Sequence, residues 1–343
     1  MTKVTIVGAG ISGMAVASQL PKSYQVTIVA RDLPGDPESL AWSSPWAGAV
    51  WMGMADSTPA DQKMQLEAFA FWWKLAASDP ESSVRSLPAQ RIEMIDLIDG
   101  GRLEDIWYRD HMPDFRVLSP DEMPADATFG ISYQSIVLQP MIFLPWLRKR
   151  LEANGVVFQR KTITSLSELS NTKQDVIVNC TGVGSRHLTD VHDAAMEPVR
   201  GQTVLVKSGY NKLFIRRGKV DYTYALSRLD GTVILGGIKQ HNNMATSVDT
   251  ELRRDIFRRI AANIPAAFPT SSPDGFEVIR DIVGIRPQRS CGVRVESEVL
   301  PGGVKVVHAY GAPGGAYIFS MGMARRAVEL VHDFVLATPV AKL

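Results

Sequence analysis

The chain begins with apolar runs and helical spacing that define its first structural unit. Residues 4–7 are a continuous run of β-branched side chains, as expected of a strand buried on both faces of a parallel sheet. Apolar residues then recur at helical spacing over residues 11–20, and Pro21 ends the pattern. A second run covers residues 25–30. The pattern predicts a strand, a helix and a second parallel strand.

Apolar runs that lead into glycines return twice further along the chain. Residues 175–179 precede Gly182, and residues 304–307 precede a glycine turn and a long helix. Alternating β-type sequence lies between them and is typical of an antiparallel sheet. We therefore predict an α/β fold with a Rossmann-type dinucleotide-binding domain and a second domain built on an antiparallel sheet. The predicted bounds are 1–50, 135–190 and 275–343 for the first, discontinuous domain, and 51–134 and 191–274 for the second, substrate-binding domain.

Composition narrows the classes of partner. The 343 residues are 45% hydrophobic, enough for two cores, and 37 lysines and arginines balance 36 acidic residues. This balance gives no electrostatic reason to expect nucleic acid or a membrane surface as a partner. Cys180 and Cys291 lack metal-ligand spacing, so we expect no metal site and a reducing compartment. No apolar run could span a bilayer, and the early first strand leaves no room for a cleaved signal peptide.

Glycines at the first strand-to-helix turn have the spacing of a dinucleotide cradle. Gly8 permits the tight turn, Gly10 lets the backbone approach a pyrophosphate, and Gly13 lets helix and strand pack closely. After the second strand, Arg31 suits the additional phosphate of NADP, whereas Asp32 suits the ribose of FAD or NAD. The glycine spacing therefore indicates a dinucleotide and leaves the cofactor open.

Six stretches are distinctive in combination. They are Ala30-Arg-Asp-Leu-Pro, Ser44-Pro-Trp-Ala-Gly, Val178-Asn-Cys-Thr-Gly, Glu197-Pro-Val-Arg-Gly-Gln, Val283-Gly-Ile-Arg-Pro and Val307-His-Ala-Tyr-Gly. With them the chain resembles the D-amino acid oxidase family of FAD flavoproteins over residues 4–331. The resemblance implies noncovalent FAD and oxidation of a D-amino acid to an imino acid. Water then hydrolyses the imine to a 2-oxo acid and ammonia, and O2 reoxidises the flavin and becomes H2O2.

The resemblance also implies which residues bind FAD. They lie in the glycine cradle, after the second strand, around the Ser-Pro-Trp-Ala-Gly stretch, near the later strand-to-glycine turns and at the start of the last helix. The predicted set is Gly8, Ala9, Gly10, Ile11, Ser12, Gly13, Arg31, Asp32, Ser43, Ser44, Gly48, Ile163, Thr181, Gly182, Arg286, Gly311, Gly314, Gly315, Ala316, Tyr317 and Ile318.

The implied chemistry needs an anchored α-carboxylate, a neutral amine and a Cα hydrogen directed at the flavin. Arg286 matches the family's carboxylate-binding arginine, whose planar guanidinium meets a carboxylate with two parallel hydrogen bonds. Tyr224 matches the family's tyrosine and adds a phenolic hydrogen bond. Gly314 falls in the turn that gives a backbone carbonyl to the substrate amine. We interpret His308 as a core histidine and not as a base.

A predicted hairpin centred on Asp230-Gly231 defines the side-chain pocket. β-type alternation continues on both sides of this turn. With an even-length turn, even residues of the first strand face odd residues of the second, so Tyr222, Tyr224 and Lys239 project from one face. Gly237 leaves space beside Tyr224, and Lys239 places a cation further along the pocket.

Basic residues in this pocket favour an acidic substrate. The D-aspartate oxidase branch of the family has arginine at the place of Lys239 and an Ile-Arg about eight residues before the tyrosine. Arg216 and Arg217 both occupy that second region, and only one of them can match. A charge-assisted hydrogen bond contributes about 1.5–3 kcal/mol, enough for a roughly ten- to hundred-fold preference. D-aspartate is therefore the favoured substrate, and a neutral or basic D-amino acid is the alternative.

Two other functional classes stay open, and the tail indicates a location. Arg31 alone favours an NADP-dependent dehydrogenase, and a dinucleotide-bound sensor without turnover is the third class. The tail Ala341-Lys342-Leu343 is a variant of the peroxisomal Ser-Lys-Leu signal. We therefore expect a protein of the peroxisomal matrix that binds an import receptor. The sequence leaves open whether it forms a homo-oligomer.

Overall fold

A computed structural model describes residues 1–36, 39–77, 89–172, 174–218 and 222–337 of the chain. The tail at 341–343 lies outside these ranges, so the import signal stays a prediction. Over the same ranges, none of the helices combines the length and the apolar character that a membrane span requires.

The described ranges contain five α-helices and fifteen strands. The helices are α1 (Ile11–Gln19), α2 (Pro59–Leu75), α3 (Pro140–Ala153), α4 (Thr250–Asn263) and α5 (Ala316–Leu336). The strands are β1 (Lys3–Val7), β2 (Gln25–Ala30), β3 (Ala89–Ile98), β4 (Arg116–Val117), β5 (Gly130–Leu138), β6 (Val157–Arg160), β7 (Val176–Asn179), β8 (Met196–Lys207), β9 (Leu213–Arg217), β10 (Tyr222–Ser227), β11 (Thr232–Gly236), β12 (Gln240–His241), β13 (Glu277–Arg289), β14 (Arg294–Leu300) and β15 (Val304–Tyr310).

The first sheet contains the predicted strand-helix-strand unit. Its strand order is β14-β15-β7-β1-β2-β6, and all its pairings are parallel except that of β14 with β15. The central strands β1 and β7 are buried along almost their whole length, which explains their continuous apolar runs. Helix α1 packs against α3 and α5. The predicted Rossmann-type α/β fold is therefore confirmed.

The second sheet is mainly antiparallel, and its two faces have different neighbours. Its order is β12-β8-β11-β10-β9-β3-β5-β4, and β13 also pairs with β8. On β10, Ala225 packs in the cluster that contains the apolar residues of α4, whereas Tyr224 and Leu226 pack in the main core that includes α1 and α5. Successive side chains of β10 therefore point alternately to α4 and to the first sheet.

Sheet membership differs from the predicted domain bounds at two points. Strand β13 pairs with β8 from Glu277 to Arg289, although the sequence predicts that residues 275–289 belong to the nucleotide-binding domain. Strand β5 stays in the second sheet as far as Leu138, past the bound at 134. Continuous ladder hydrogen bonding with β8 and β3 is the physical reason for both differences. Because β13 belongs to the second sheet, Arg286 lies on that sheet and not on the first.

The β10–β11 hairpin forms, but its register corrects the prediction. Tyr224 lies opposite Gly236, so even residues face even residues. The turn is odd in length because the Arg228 amide donates to the Thr232 carbonyl at 2.8 Å, which leaves three residues between them. One of these is Gly231, whose φ of 77° suits a three-residue loop. Strand β11 ends at Gly236, so Lys239 lies beyond the strand and outside the predicted pairing.

Candidate active site

The glycine cradle has the close backbone approach that its sequence predicts. Gly8 has a φ of 110°, and a Cβ there would lie 2.4 Å from the Cys180 carbonyl oxygen. A Cβ on Gly13 would lie 2.0 Å from the Gly8 carbonyl oxygen. Side chains at both positions would collide with backbone, so helix α1 can pack on β1 and β7 only with glycine there.

Ser44 joins the first turn of α1 to the first turn of α5. Its hydroxyl accepts a hydrogen bond from the Ile11 amide at 3.1 Å, and its carbonyl accepts one from the Tyr317 hydroxyl at 3.0 Å. Gly10 and Gly315, which precede the two helices, provide no side-chain cap. The structure therefore places the start of α1 and the start of α5 next to Ser44, and all three belong to predicted cofactor segments.

The turn after β7 lies between the cradle and β13. The Thr181 amide donates to Asn179 Oδ1 at 3.1 Å, and Gly182 has a φ of 56°. A Cβ on Gly182 would come within 3.7 Å of Pro287, the residue after Arg286. Predicted cofactor and substrate residues are thus adjacent here.

His308 lies behind this turn and is fully buried. Its Nδ1 is 3.2 Å from Asn179 Nδ2, and its Nε2 is 3.0 Å from a carboxylate oxygen of Glu298. Burial lowers the pKa of His308. The prediction of a core histidine is confirmed.

Arg31 does not present a free cation to a nucleotide phosphate. Its Nε is 2.7 Å from an Asp32 carboxylate oxygen, and another of its nitrogens donates to the Ala41 carbonyl at 2.7 Å. The charge that favoured NADP is therefore compensated by the neighbouring acid.

The other predicted cofactor residues border these segments. Ser43 precedes the short 3-10 helix that contains Ser44, and a Cβ on Gly48 would lie 2.6 Å from Leu226 on β10. Gly311 and Gly314 both have positive φ values, 85° and 64°, in the turn before α5. The remaining members are Ala9 and Ser12 at the β1–α1 turn, Ala316 and Ile318 in the first turn of α5, and Ile163 after β6.

Arg286 and Tyr224 form a pair at the junction of the two sheets. One terminal nitrogen of Arg286 is 3.4 Å from the Tyr224 hydroxyl, and the other donates to the Ile238 carbonyl at 2.9 Å. The guanidinium lies against Gly201, where a Cβ would come within 2.5 Å of it. No carboxylate of the described residues pairs with Arg286, so the arrangement suits an external anion.

Tyr224 is buried against two consecutive glycines. A Cβ on either Gly236 or Gly237 would lie 2.3 Å from the Tyr224 ring. Burial raises the pKa of Tyr224 to about 12, although Arg286 opposes the shift. The phenol is therefore protonated at neutral pH and can donate a hydrogen bond.

Lys239 contacts Tyr222, which is next to Tyr224 on this face, although the register differs from the predicted one. Its Nζ is 4.5 Å from the centre of the Tyr222 ring, and the rings of Tyr222 and Tyr224 are 5.5 Å apart. The Lys239 side chain is exposed, and within the described ranges no carboxylate forms an ion pair with it. Tyr222, Tyr224 and Lys239 thus lie on the same face of the second sheet.

Arg216 points away from this face, which corrects its assignment to the substrate side chain. It lies opposite Thr223 in the ladder, on the side of the sheet that α4 covers. Its guanidinium binds the carboxylates of Asp99 and Asp126 and the side-chain oxygen of Asn263. Strand alternation and these partners keep Arg216 out of the pocket.

Arg217 lies opposite Tyr222 and shares its face. Its Nε and one terminal nitrogen bind the buried Asp96 carboxylate at 3.0 and 2.5 Å. Burial opposes the charge of Arg217, but Asp96 more than offsets it and raises the pKa of the guanidinium. The second terminal nitrogen has no hydrogen-bond partner among the described residues. Of the two candidate arginines, only Arg217 can thus face the pocket.

Two further arginines of the site are absent from the sequence-based set. Arg228 donates to the Ala47 carbonyl at 3.1 Å, but its buried Nε has no partner in the described structure. Burial lowers the pKa of Arg228 to about 10. Arg259 of α4 binds the backbone of the substrate face. Its place on the buried face of α4, three residues after Ile256, is a sequence signal that could have found it.

These features fit a bound dinucleotide. The glycine cradle keeps side chains away from the N-terminus of α1, where a pyrophosphate would bind, and the unpaired Nε of Arg228 is a buried donor near Ala47, in a predicted cofactor segment.

Comparison with known proteins assigns the family. Residues 3–330 match the DAO family model, described as FAD dependent oxidoreductase. The chain is 32% identical to a D-amino-acid oxidase of Schizosaccharomyces pombe over 99% of its own length and 97% of the relative's. It is 30% identical to a D-aspartate oxidase of Talaromyces thermophilus over 99% of its own length and 96% of the relative's.

A solved structure has the same fold. Glycine oxidase from Bacillus cereus superposes with a TM-score of 0.77 and 16% identity, and 97% of this chain and 98% of that one are covered. The fold, the cradle and the full-length matches agree. This chain therefore belongs to the D-amino acid oxidase family of FAD-dependent oxidoreductases.

Proposed function

We propose that this enzyme oxidises an acidic D-amino acid, with D-aspartate as the favoured substrate. One observation carries the proposal: the Arg286–Tyr224 pair and the ammonium of Lys239 lie on one face of the second sheet. The pair suits an α-carboxylate, and Lys239 suits a second carboxylate further from Cα.

The residues of the chain bind and orient the substrate. Arg286 would hold the α-carboxylate with two parallel hydrogen bonds, and Tyr224, protonated at neutral pH, would donate a third. The Gly314 carbonyl would accept from the amine, which fixes the direction of the Cα hydrogen. When bound, FAD would supply the hydride acceptor, with O2 as the final electron acceptor and H2O2 as its product.

Charge at the far end of the pocket supports the acidic preference. Lys239 has no described carboxylate partner, and Arg217 keeps one terminal nitrogen unpaired although Asp96 binds the rest of its guanidinium. Asp96 compensates the charge of Arg217, so we assign the main part to Lys239. A neutral side chain would leave the ammonium without a counter-ion.

A second candidate is a D-amino acid oxidase for neutral or basic substrates. The contact of Lys239 with the Tyr222 ring favours it, because the ammonium already has a cation–π partner and is exposed. Relatives with either substrate in their names are similar at 30–32% identity, so identity does not separate the candidates.

An anaerobic absorbance titration of the FAD-loaded protein tests the proposal. We expect D-aspartate to bleach the flavin at concentrations at least about tenfold below those required of D-alanine, and L-aspartate to leave it oxidised. Arg286→Leu should keep FAD bound and abolish bleaching, because the α-carboxylate loses its anchor. Bleaching by D-alanine at the lower concentration would favour the second candidate, and no bleaching by any amino acid would refute an oxidase.

A further inference from the structure

The substrate face is held from behind by a single buried arginine of α4. We infer that Arg259 is a positioning residue that sets the affinity for substrate, an inference that rests on the proposed function. Its guanidinium donates to the Tyr222 carbonyl at 2.6 Å, to the Thr223 hydroxyl at 2.9 Å and to the Gly237 carbonyl at 2.9 Å. The Arg259 side chain is only 9% exposed.

These acceptors belong to the two segments that carry the predicted substrate residues. Tyr222 begins the strand of Tyr224, and Gly237 precedes Lys239 by two residues. Beyond the end of the β10–β11 ladder, a hydrogen bond from the Gly237 amide to the Tyr222 carbonyl at 3.0 Å joins the segments directly. Arg259 donates to the carbonyls of both residues, so it fixes the distance between the segments.

Two guanidinium groups hold consecutive carbonyls of the second segment. Arg259 binds the Gly237 carbonyl from the side of α4, and Arg286 binds the Ile238 carbonyl from the pocket. Lys239 follows directly in the chain. A shift of this segment would therefore move both Arg286, which grips the α-carboxylate, and Lys239, which faces the distal carboxylate.

Regular sheet structure cannot supply this support. Strand β11 ends at Gly236 and β12 begins at Gln240, so residues 237–239 lie between ladders. The nearest helix is α4, which packs on β10 and β11 through its apolar face. A long side chain with several donors from that helix is what this gap requires, and Arg259 provides it.

The chain offers a matched control at the preceding position, Arg258. Asp255 binds both Arg258 and Arg259, at 2.6 and 2.8 Å. Arg258 is exposed and reaches no pocket segment, whereas Arg259 reaches both. Arg258→Met therefore removes a guanidinium and an Asp255 partner without touching the pocket backbone.

The experiment measures kcat, KM and melting temperature for FAD-loaded Arg259→Met and Arg258→Met beside the wild type. Wild-type bleaching by D-aspartate first establishes the proposed function on its own. For Arg259→Met we expect KM for D-aspartate to rise at least about tenfold, with kcat within about threefold and the flavin absorbance unchanged. Arg258→Met should keep KM within about twofold of the wild type.

A lower melting temperature of Arg259→Met with an unchanged KM would mean that Arg259 only stabilises the fold and would overturn the inference. If Arg259→Met does not fold, Arg259→Lys replaces it, because lysine keeps the charge and can reach one of the two carbonyls. We then expect a KM between those of the wild type and the tenfold rise. A KM of Arg259→Lys equal to that of Arg258→Met would equally overturn the inference.

Discussion

At the scale of single residues, the charge of the pocket depends on which cations already have an acid beside them. Arg217 forms an ion pair with Asp96, and Arg31 forms one with Asp32. Lys239 and Arg286 have no such partner in the described structure. An external dicarboxylate could therefore pair with these two cations without competing with a carboxylate of the protein.

Lys239→Leu tests the role of the distal cation. We expect KM for D-aspartate to rise roughly ten- to hundred-fold, because one charge-assisted hydrogen bond is lost. The kcat/KM for D-alanine should change by less than about threefold, since its methyl group does not reach the ammonium. Steady-state kinetics of both substrates provide the measurement. Lys207→Met, which breaks an exposed pair with Glu277, is the control, and an equal effect of both variants would exclude Lys239 from the pocket.

At the scale of elements, the β1–α1 unit was predictable because nearby backbone atoms exclude any side chain at two of its glycine positions. Gly8 and Gly13 face backbone atoms of neighbouring segments, and that requirement is visible in their spacing. The β10–β11 register was not predictable, because Asp230-Gly231 allows turns of more than one length. The face of Arg216 depends in the same way on the register between β9 and β10, in which Arg216 lies opposite Thr223. One residue of register exchanges the two sides of a strand, so sequence alone could not separate Arg216 from Arg217.

Gly10→Ala tests the cradle as an element that receives a phosphate. Its φ of −73° accommodates alanine, and the nearest atom to the new Cβ would be the movable Ser44 hydroxyl at 2.8 Å. We therefore expect the protein to fold while its dissociation constant for FAD rises at least about tenfold, because the methyl group occupies the approach to the pyrophosphate.

Fluorescence titration of the apoprotein with FAD measures this effect. Gly209→Ala is the matched control, since its Cβ would meet no atom within 4 Å. Equal FAD affinity of the two variants would show that the cofactor phosphates lie elsewhere.

At the scale of the whole molecule, the site forms where the two sheets meet. Strand β13 runs along β8 of the second sheet and brings Pro287 beside Gly182, in a turn of the first sheet. The motifs around Gly182 and Pro287 could each be recognised in the sequence. Their contact could not be predicted, because it joins residues more than 100 positions apart. Tyrosines are buried in several parts of the molecule, and burial raises the pKa of Tyr224 and Tyr310 to about 12.

Burial also raises the pKa of Tyr108, Tyr133, Tyr210 and Tyr317, so the stability of the protein should fall steeply above pH 10. In the unfolded chain tyrosine ionises near pH 10, whereas the native state keeps these protons to higher pH. Between the two values the unfolded state binds fewer protons, so the free energy of unfolding decreases by about 1.4 kcal/mol per pH unit for each such tyrosine. The stabilisation is complete below pH 10 and is lost as the pH rises toward the native values.

Urea unfolding at pH 8.5, 10 and 11, followed by tryptophan fluorescence, measures this slope. Tyr210→Phe isolates the tyrosine part, because the Tyr210 hydroxyl is buried and has no hydrogen-bond partner in the described structure. At pH 8.5 the variant should be as stable as the wild type or more so, since it removes an unpaired polar group. Above pH 10 its free energy of unfolding should decline less steeply, by the contribution of one tyrosine. Identical slopes for the two proteins would mean that Tyr210 ionises equally easily in both states, contrary to its burial beside Phe268.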